Sequence, residues 1–127
     1  MSKEVVLLKH INLQNNDTKV LGCFYKRDVN RTISFYKTLP GFSDSTGEFD
    51  YSVSIVSEAD FVFFLQIWER DDDETILFEG LYNTQQEADT ALEIFETEHQ
   101  NRTYESIIEK YTINQKQWSE GFITIYD

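Results

Sequence analysis

Cysteine, proline and methionine each occur once in this chain, at Cys23, Pro40 and Met1, and glycine occurs only five times. A lone cysteine excludes an internal disulfide. A lone proline leaves one clear break, "LPGFSDSTGE" around Pro40. Neither side of it is long enough for a comfortable separate domain, so residues 1–127 are read as a single domain with a loop there. At 127 residues its radius of gyration is expected near ~14 Å. No apolar run approaches the ~20 residues of a membrane span. The start, "MSKEVVLLKHINL", lacks a long apolar stretch with a small-residue cleavage site and does not read as a signal peptide. These features together lead to the expectation of a cytoplasmic protein. There is no internal repeat, no low-complexity segment, no glycine-rich phosphate loop and no zinc-ligand spacing.

Basic side chains are also scarce. Eleven Lys and Arg face twenty-three Asp and Glu, for a formal charge of −12. The imbalance is uneven along the chain: residues 1–42 carry a balance of +4, and residues 43–127 carry −16. Such a chain repels phosphate backbones and anionic lipid surfaces, so neither nucleic acid nor membrane is an expected partner. It attracts basic proteins and speeds encounter with them. The plain alternative is that acidity only keeps the protein soluble. Hydrophobic residues at 40% and aromatics at 15% are enough for a packed core and argue against disorder.

The hydrophobic pattern predicts an α+β fold, an antiparallel sheet with helices packed mainly on one face. "EVVLLKHI" reads as a strand over Val5–Ile11, followed by turn residues and a second strand, "KVLGCFY", in a hairpin. Val29, Ile33 and Tyr36 recur at helical spacing and predict a helix over Val29–Thr38, with Asp28 as a possible cap. In "FDYSVSIV" Phe49, Tyr51, Val53 and Ile55 alternate with polar residues, the pattern of a half-buried strand. "FVFFLQIWE", Phe61–Glu69, is apolar on both faces and predicts a central strand. "TILFEGL" follows as its hairpin partner. "TQQEADTALEIFETEH" predicts a helix, with Thr84 and Glu87 placed for a capping box. Tyr104, Ile107, Ile108 and Tyr111 predict a shorter helix, and "FITIY" a last strand.

The densest chemistry is "WERDDDETILFEG" from Trp68. Asp71, Asp72 and Asp73 fall between two strands and are expected at a hairpin tip. Calcium or magnesium would suit the carboxylates, but an EF-hand loop needs alternating ligands, a central glycine and a late Glu, and this run lacks that order. Neither metal nor cofactor is expected. Cys23 sits in an apolar strand and reads as an inert small hydrophobe. With His10 in a strand and His99 at a helix end, nothing places a nucleophile beside a base. Paired carboxylates could run glycoside hydrolysis, but twenty-three acids always supply some pair. "NRT" matches a glycosylation sequon at Asn30 and Asn101, and without a secretion signal both matches read as chance. No catalytic residue is assigned. Trp68 lies on the even-numbered face of the central strand with Val62 and Phe64, beside the acidic run. If helices cover the odd face, Trp68 becomes an apolar anchor flanked by carboxylates. Trp68, Glu69, Asp71, Asp72, Asp73 and Glu74 are therefore the expected partner-binding residues.

The end of the chain, "YTINQKQWSEGFITIYD", resembles the ends of immunity proteins found beside bacterial polymorphic and contact-dependent toxins. Trp118, Glu120, Gly121 and Phe122 carry the likeness, over about seventeen residues. Physically, Gly121 permits a tight turn, and Trp118 and Phe122 pin the last strand. The resemblance implies a non-catalytic antitoxin-like inhibitor used in bacterial competition. Its partner would be a cognate toxin with a basic surface, a nuclease before others, whose substrate-binding surface it occludes. Two other classes stand beside it. One is a phage-type acidic mimic of nucleic acid that blocks a restriction or CRISPR nuclease. The other is a small enzyme, which would show a concave pocket with converging polar groups.

Overall fold

The structure, a computed structural model, describes residues 2–14, 17–42 and 47–119; the side chains of Ser2, Asp72, Asp73 and Glu74 are outside that description. The expected last strand, and Glu120, Gly121 and Phe122 of the C-terminal motif, also lie outside it.

Among the described residues six strands and two α-helices run in the order β1 (Ser2–Asn12), β2 (Thr18–Tyr25), α1 (Val29–Tyr36), β3 (Gly47–Ser57), β4 (Phe61–Glu69), β5 (Asp72–Tyr82), α2 (Gln85–Glu98) and β6 (Tyr104–Thr112). They form two three-stranded antiparallel sheets, ordered β2-β1-β3 and β5-β4-β6. The α+β class expected from the sequence holds, with one helix packed on each sheet. The chain divides into two compact units: Val56–Thr112 forms one, and Lys3–Ile55 with the segment from Ile113 onward forms the other.

In the unit built on Lys3–Ile55, β1 is the central strand. Val5, Val6, Leu7 and Leu8 are all buried, as a strand apolar on both faces requires. The hairpin pairs Leu7 with Cys23 and Leu8 with Gly22, and its register shifts after Leu8. α1 packs Val29 and Tyr36 against Val6, Leu8, Leu21, Phe24 and Phe42. The expected Asp28 side-chain cap is not formed. A 3-10 turn over Lys26–Asp28 leads into α1 instead. The Asp28 carboxylate accepts from Arg31 at 2.7 Å, and Thr32 donates to the Asp28 carbonyl at 2.9 Å. α1 ends at Tyr36, two residues short of the expected Thr38. Pro40 disfavours helical backbone at Leu39, so the chain leaves by tighter bonds such as Thr38 N–H to the Phe35 carbonyl at 3.1 Å. β3 corrects another expectation. Of its apolar row only Phe49 packs on the core; Tyr51, Val53 and Ile55 are exposed, and the buried residue is Val56, on the other face.

In the unit built on Val56–Thr112, β4 is central as expected. It pairs with β5 on one side and β6 on the other. α2 lies over the odd-numbered face, where Leu65 and Ile67 meet Phe95, Ala91 and Leu92. Each fully buried Leu or Ile contributes about 1.5–3 kcal/mol. The Thr84 side chain caps α2 by accepting from Glu87 N–H at 3.1 Å. Phe95 also stacks on the His99 ring at 4.0 Å and meets Tyr104 edge-on at 5.1 Å.

The expected helix after Thr103 is strand β6. Its pairing with β4 is unbroken from Phe61↔Thr112 to Glu69↔Tyr104. The residues that suggested a helix divide between two faces: Tyr104 and Ile108 join the α2 core, and Ile107 and Tyr111 face away from it. A central strand with an open edge gains a full ladder by taking this segment, and that tertiary gain overrides a weak local periodicity.

Candidate functional site

β4 and β5 close around a two-residue turn, Arg70–Asp71, with Glu69 paired to Asp72. The acidic run is thus at a hairpin tip, though only Asp71 is in the turn and Asp72, Asp73 and Glu74 enter β5. The register of the hairpin breaks on both sides of Trp68, between Ile67 and Trp68 and between Trp68 and Glu69. Such irregularities bend and twist a strand where it leaves the regular ladder.

Residues directly opposite in a ladder share a face. Glu69 pairs with Tyr104 and so points to the α2 side, where Arg102 reaches its carboxylate at 3.4 Å. Trp68 points the other way. It stands between Ile76 on β5 and Glu105 on β6. One step along, Gln66 stands between Glu79 and Ile107 and donates to Glu79 at 2.8 Å. At the next step Phe64 stands between Leu81 and Glu109, whose carboxylate accepts from Tyr111 at 2.7 Å.

This face has a closed half and an open half. Val62 and Phe64 are buried, Trp68 is half-buried, and Ile76 and Ile107 are 42% and 40% exposed. Trp68, Ile76 and Ile107 therefore make an apolar strip rimmed by Glu79, Glu105 and Glu109. Arg70 comes within 4.0 Å of Glu105, but both side chains are more than half exposed, so this pair neutralises little. Sequence reasoning placed Trp68 on this face and did not bring Glu105, Ile107 and Glu109 to it, because the segment after Thr103 reads as helix by its apolar spacing. The period-two order Glu105, Ile107, Glu109, Tyr111 was the available signal.

The opposite side of the sheet is acidic as well. α2 carries Glu87, Asp89, Glu93, Glu96 and Glu98 and no Lys or Arg. Desolvation and the nearby Glu96 raise the Tyr104 phenol above its ordinary value. Val56–Thr112 holds fifteen acidic and three basic side chains, a balance of −12, and the rest of the chain holds eight of each. The whole net charge of the protein belongs to one unit.

Two of the unit's three basic side chains, Arg70 and Arg102, lie beside the turn, while Lys110 lies over the Phe61 ring at the other end of β4. An open depression of about 400 Å³ is lined by Arg70, Glu96, His99, Arg102 and Tyr104. Arg102 is engaged by Glu69, Arg70 lies near Glu105, and His99 Nδ1 is 2.9 Å from the Phe95 carbonyl. These contacts brace the strand ends. Among the described residues no three His, Cys, Asp or Glu side chains converge as metal ligands. Cys23 is buried, and burial pushes its thiol up to about 12. It pairs with Leu7 on one face of the hairpin, and His10 lies on the Leu8 face against Phe42 at 4.9 Å. These two do not form a nucleophile–base pair. No helix among the described residues is long and apolar enough to cross a membrane. No protein-family model, curated protein or solved structure matches this chain.

Proposed function

We propose that this chain is an immunity-type inhibitor, a non-catalytic protein of the producing cell's cytoplasm that binds a basic toxin, a nuclease before others, and occludes its substrate-binding surface. The observation that carries this reading is the segregation of charge. A unit of −12 sits in a chain whose remainder is neutral, and its sheet face presents Trp68 within a rim of Glu79, Glu105 and Glu109. A surface that binds polyanions is rich in Lys and Arg. The field of the acidic unit steers such a surface inward, and carboxylates that become shielded against it hold the register. An aromatic ring among them supplies the apolar anchor that charge alone lacks.

Charge placement also favours this reading over a nucleic-acid mimic. A mimic needs carboxylates laid along one face in the manner of phosphates. Here α2 carries five on one side of the sheet, and Glu79, Glu105 and Glu109 lie on the other. The acidic tip at Asp71, Asp72, Asp73 and Glu74 extends the same field.

The test is the affinity of the full chain for the toxin domain encoded beside its gene, in catalytically inactive form, at low and high salt. Tight binding that weakens as salt rises, and that duplex nucleic acid displaces, supports occlusion of the substrate surface. Binding indifferent to both salt and competitor sinks the occlusion reading, and no binding at all sinks the inhibitor.

A further inference from the structure

A basic partner carries two kinds of cation, and they differ in what they need. A lysine ammonium is a compact, strongly hydrated point charge. An arginine guanidinium is planar and weakly hydrated, stacks on aromatic faces and donates two parallel bonds to one carboxylate. A ring with a carboxylate fixed beside it therefore suits the second cation better than the first. The chain pairs several of its rings with cations of its own. Lys19 stands over Trp118 at 5.4 Å, Arg27 over Tyr25 at 5.1 Å, Lys110 over Phe61 at 4.0 Å and Lys116 over Phe35 at 5.1 Å. Trp68 has carboxylates around it, yet among the described residues no cation stands over its ring. Arg70, two residues along, is turned to Glu105 at 4.0 Å and to the Tyr104 carbonyl at 3.4 Å.

Glu79 is the carboxylate fixed beside that ring. It is half-buried, and the Gln66 amide donates to it at 2.8 Å. Gln66 and Glu79 stand opposite one another, and Trp68 is the next residue of β4 on the same face. Trp68 and Glu79 are thus diagonal neighbours, a relation that sets Cα atoms about 7–8 Å apart and lets long side chains meet. A carboxylate accepts about four hydrogen bonds, so the Gln66 amide orients Glu79 without exhausting it. Ile76 and Ile107 are exposed on this face, and the Glu105 side chain is 52% exposed, so a partner can reach the ring.

We infer that Trp68 and Glu79 form a seat for one arginine of the basic partner. The guanidinium stacks on the indole and donates to the Glu79 carboxylate, and the arginine's methylene stem lies on the apolar strip of Ile76 and Ile107. Charge complementarity selects a cation, and the flat ring beside an oriented carboxylate selects arginine over lysine. A lysine can reach the same place, but its ammonium cannot fork to the carboxylate and loses more hydration on the ring. Glu105, at the exposed rim, steers the cation in. The seat rests on the inhibitor reading for the identity of its partner, and it adds which side chain of that partner the face recognises.

The experiment titrates the full chain at low salt with two synthetic peptides of equal length and charge, one carrying only arginine as its basic residue and the other only lysine. Binding is followed at the indole N–H resonance of Trp68, told apart from that of Trp118 by Trp118→Phe. The arginine peptide should bind about fivefold or more tightly than the lysine peptide and should shift the Trp68 resonance. Trp68→Leu keeps the position apolar, and Glu79→Gln keeps an acceptor for Gln66. Each should bring the two affinities together. Glu93→Gln on α2 should weaken both peptides alike and leave the preference, because it changes only the general field. Equal affinities for the unaltered chain, a preference that survives Trp68→Leu or Glu79→Gln, or no binding of either peptide would overturn the inference. No toxin enters this measurement, so the two readings fail separately. A toxin domain that binds a chain indifferent between the peptides removes the arginine seat and leaves the inhibitor. An arginine preference without toxin binding removes the inhibitor and leaves the seat.

Discussion

The Tyr36 phenol donates to the main-chain carbonyl of Leu21 at 3.2 Å, and the carbonyl of Gln117 lies within hydrogen-bonding reach of the same oxygen. Tyr36 is fully buried, so one hydroxyl ties α1, β2 and the segment after β6 together. Burial raises the phenol well above its ordinary range and keeps it a donor. Tyr36→Phe preserves the edge-on packing against Phe42 at 5.3 Å and removes only the hydroxyl. It should lower stability by about 1–3 kcal/mol, read as an earlier urea midpoint at unchanged slope. An unchanged midpoint would mean that the hydroxyl contributes nothing.

Cys23 gives a pH signature. Its thiol is pushed by desolvation from 9.0 to about 12 in the folded chain. An unfolded thiol ionises where the folded one remains neutral, so the folded state binds more protons there. The stabilisation is full below about 9 and is lost as pH rises toward about 12. Tyr36 acts with the same sign. Urea midpoints should therefore fall on the alkaline side, and Cys23→Ala should flatten that fall. A thiol reagent should label the native chain only as fast as it opens.

Thr84→Ala removes the oxygen that accepts from Glu87 N–H at the start of α2. A loss of about 1 kcal/mol is expected, and Thr84→Ser should restore most of it. Because α2 supplies Phe95 to the core over β4, the loss should appear in global unfolding and not as local fraying alone. Equal stabilities for the Ala and Ser variants would remove the cap from the account.

Trp68, Glu105 and Glu109 should separate anchor from steering in binding to a basic partner. Trp68→Ala is expected to raise the dissociation rate by about tenfold or more, since a packed aromatic acts after contact. Glu105→Gln with Glu109→Gln should lower the association rate and flatten its salt dependence, since rim charges act before contact. Changing Asp71, Asp72 and Asp73 together to Ala should resemble the second pattern and leave folding intact. Surface plasmon resonance at two salt concentrations resolves both rates. The anchor assignment is lost if Trp68→Ala changes neither rate.

Much of the fold was legible because its signals are local or saturating. Phe61–Glu69 is apolar on both faces over the length of a strand, and it folds as the central strand of its sheet. Thr84 and Glu87 stand three apart before an apolar stripe, and the cap forms where they mark it. Trp68 falls on the face away from α2, as parity along the strand required. β6 was misread because Tyr104, Ile107, Ile108 and Tyr111 satisfy a helical period while Glu105, Ile107, Glu109 and Tyr111 satisfy a strand period. Only the open edge of β4 decides between them.

The sequence by itself determined the α+β class, the central strand, the capped helix and the acidic excess, since each depends on residue type and spacing within one segment. It could not decide which segments share a sheet, because register is a relation between strands distant in the chain. That relation sets Glu105 and Ile107 beside Trp68 and turns Glu69 to the opposite face toward Arg102. It also confines the −12 charge to one unit and leaves the side chains of Tyr51, Val53 and Ile55 exposed. Burial and exposure belong to the packed arrangement, and alternation along β3 alone could not foretell them.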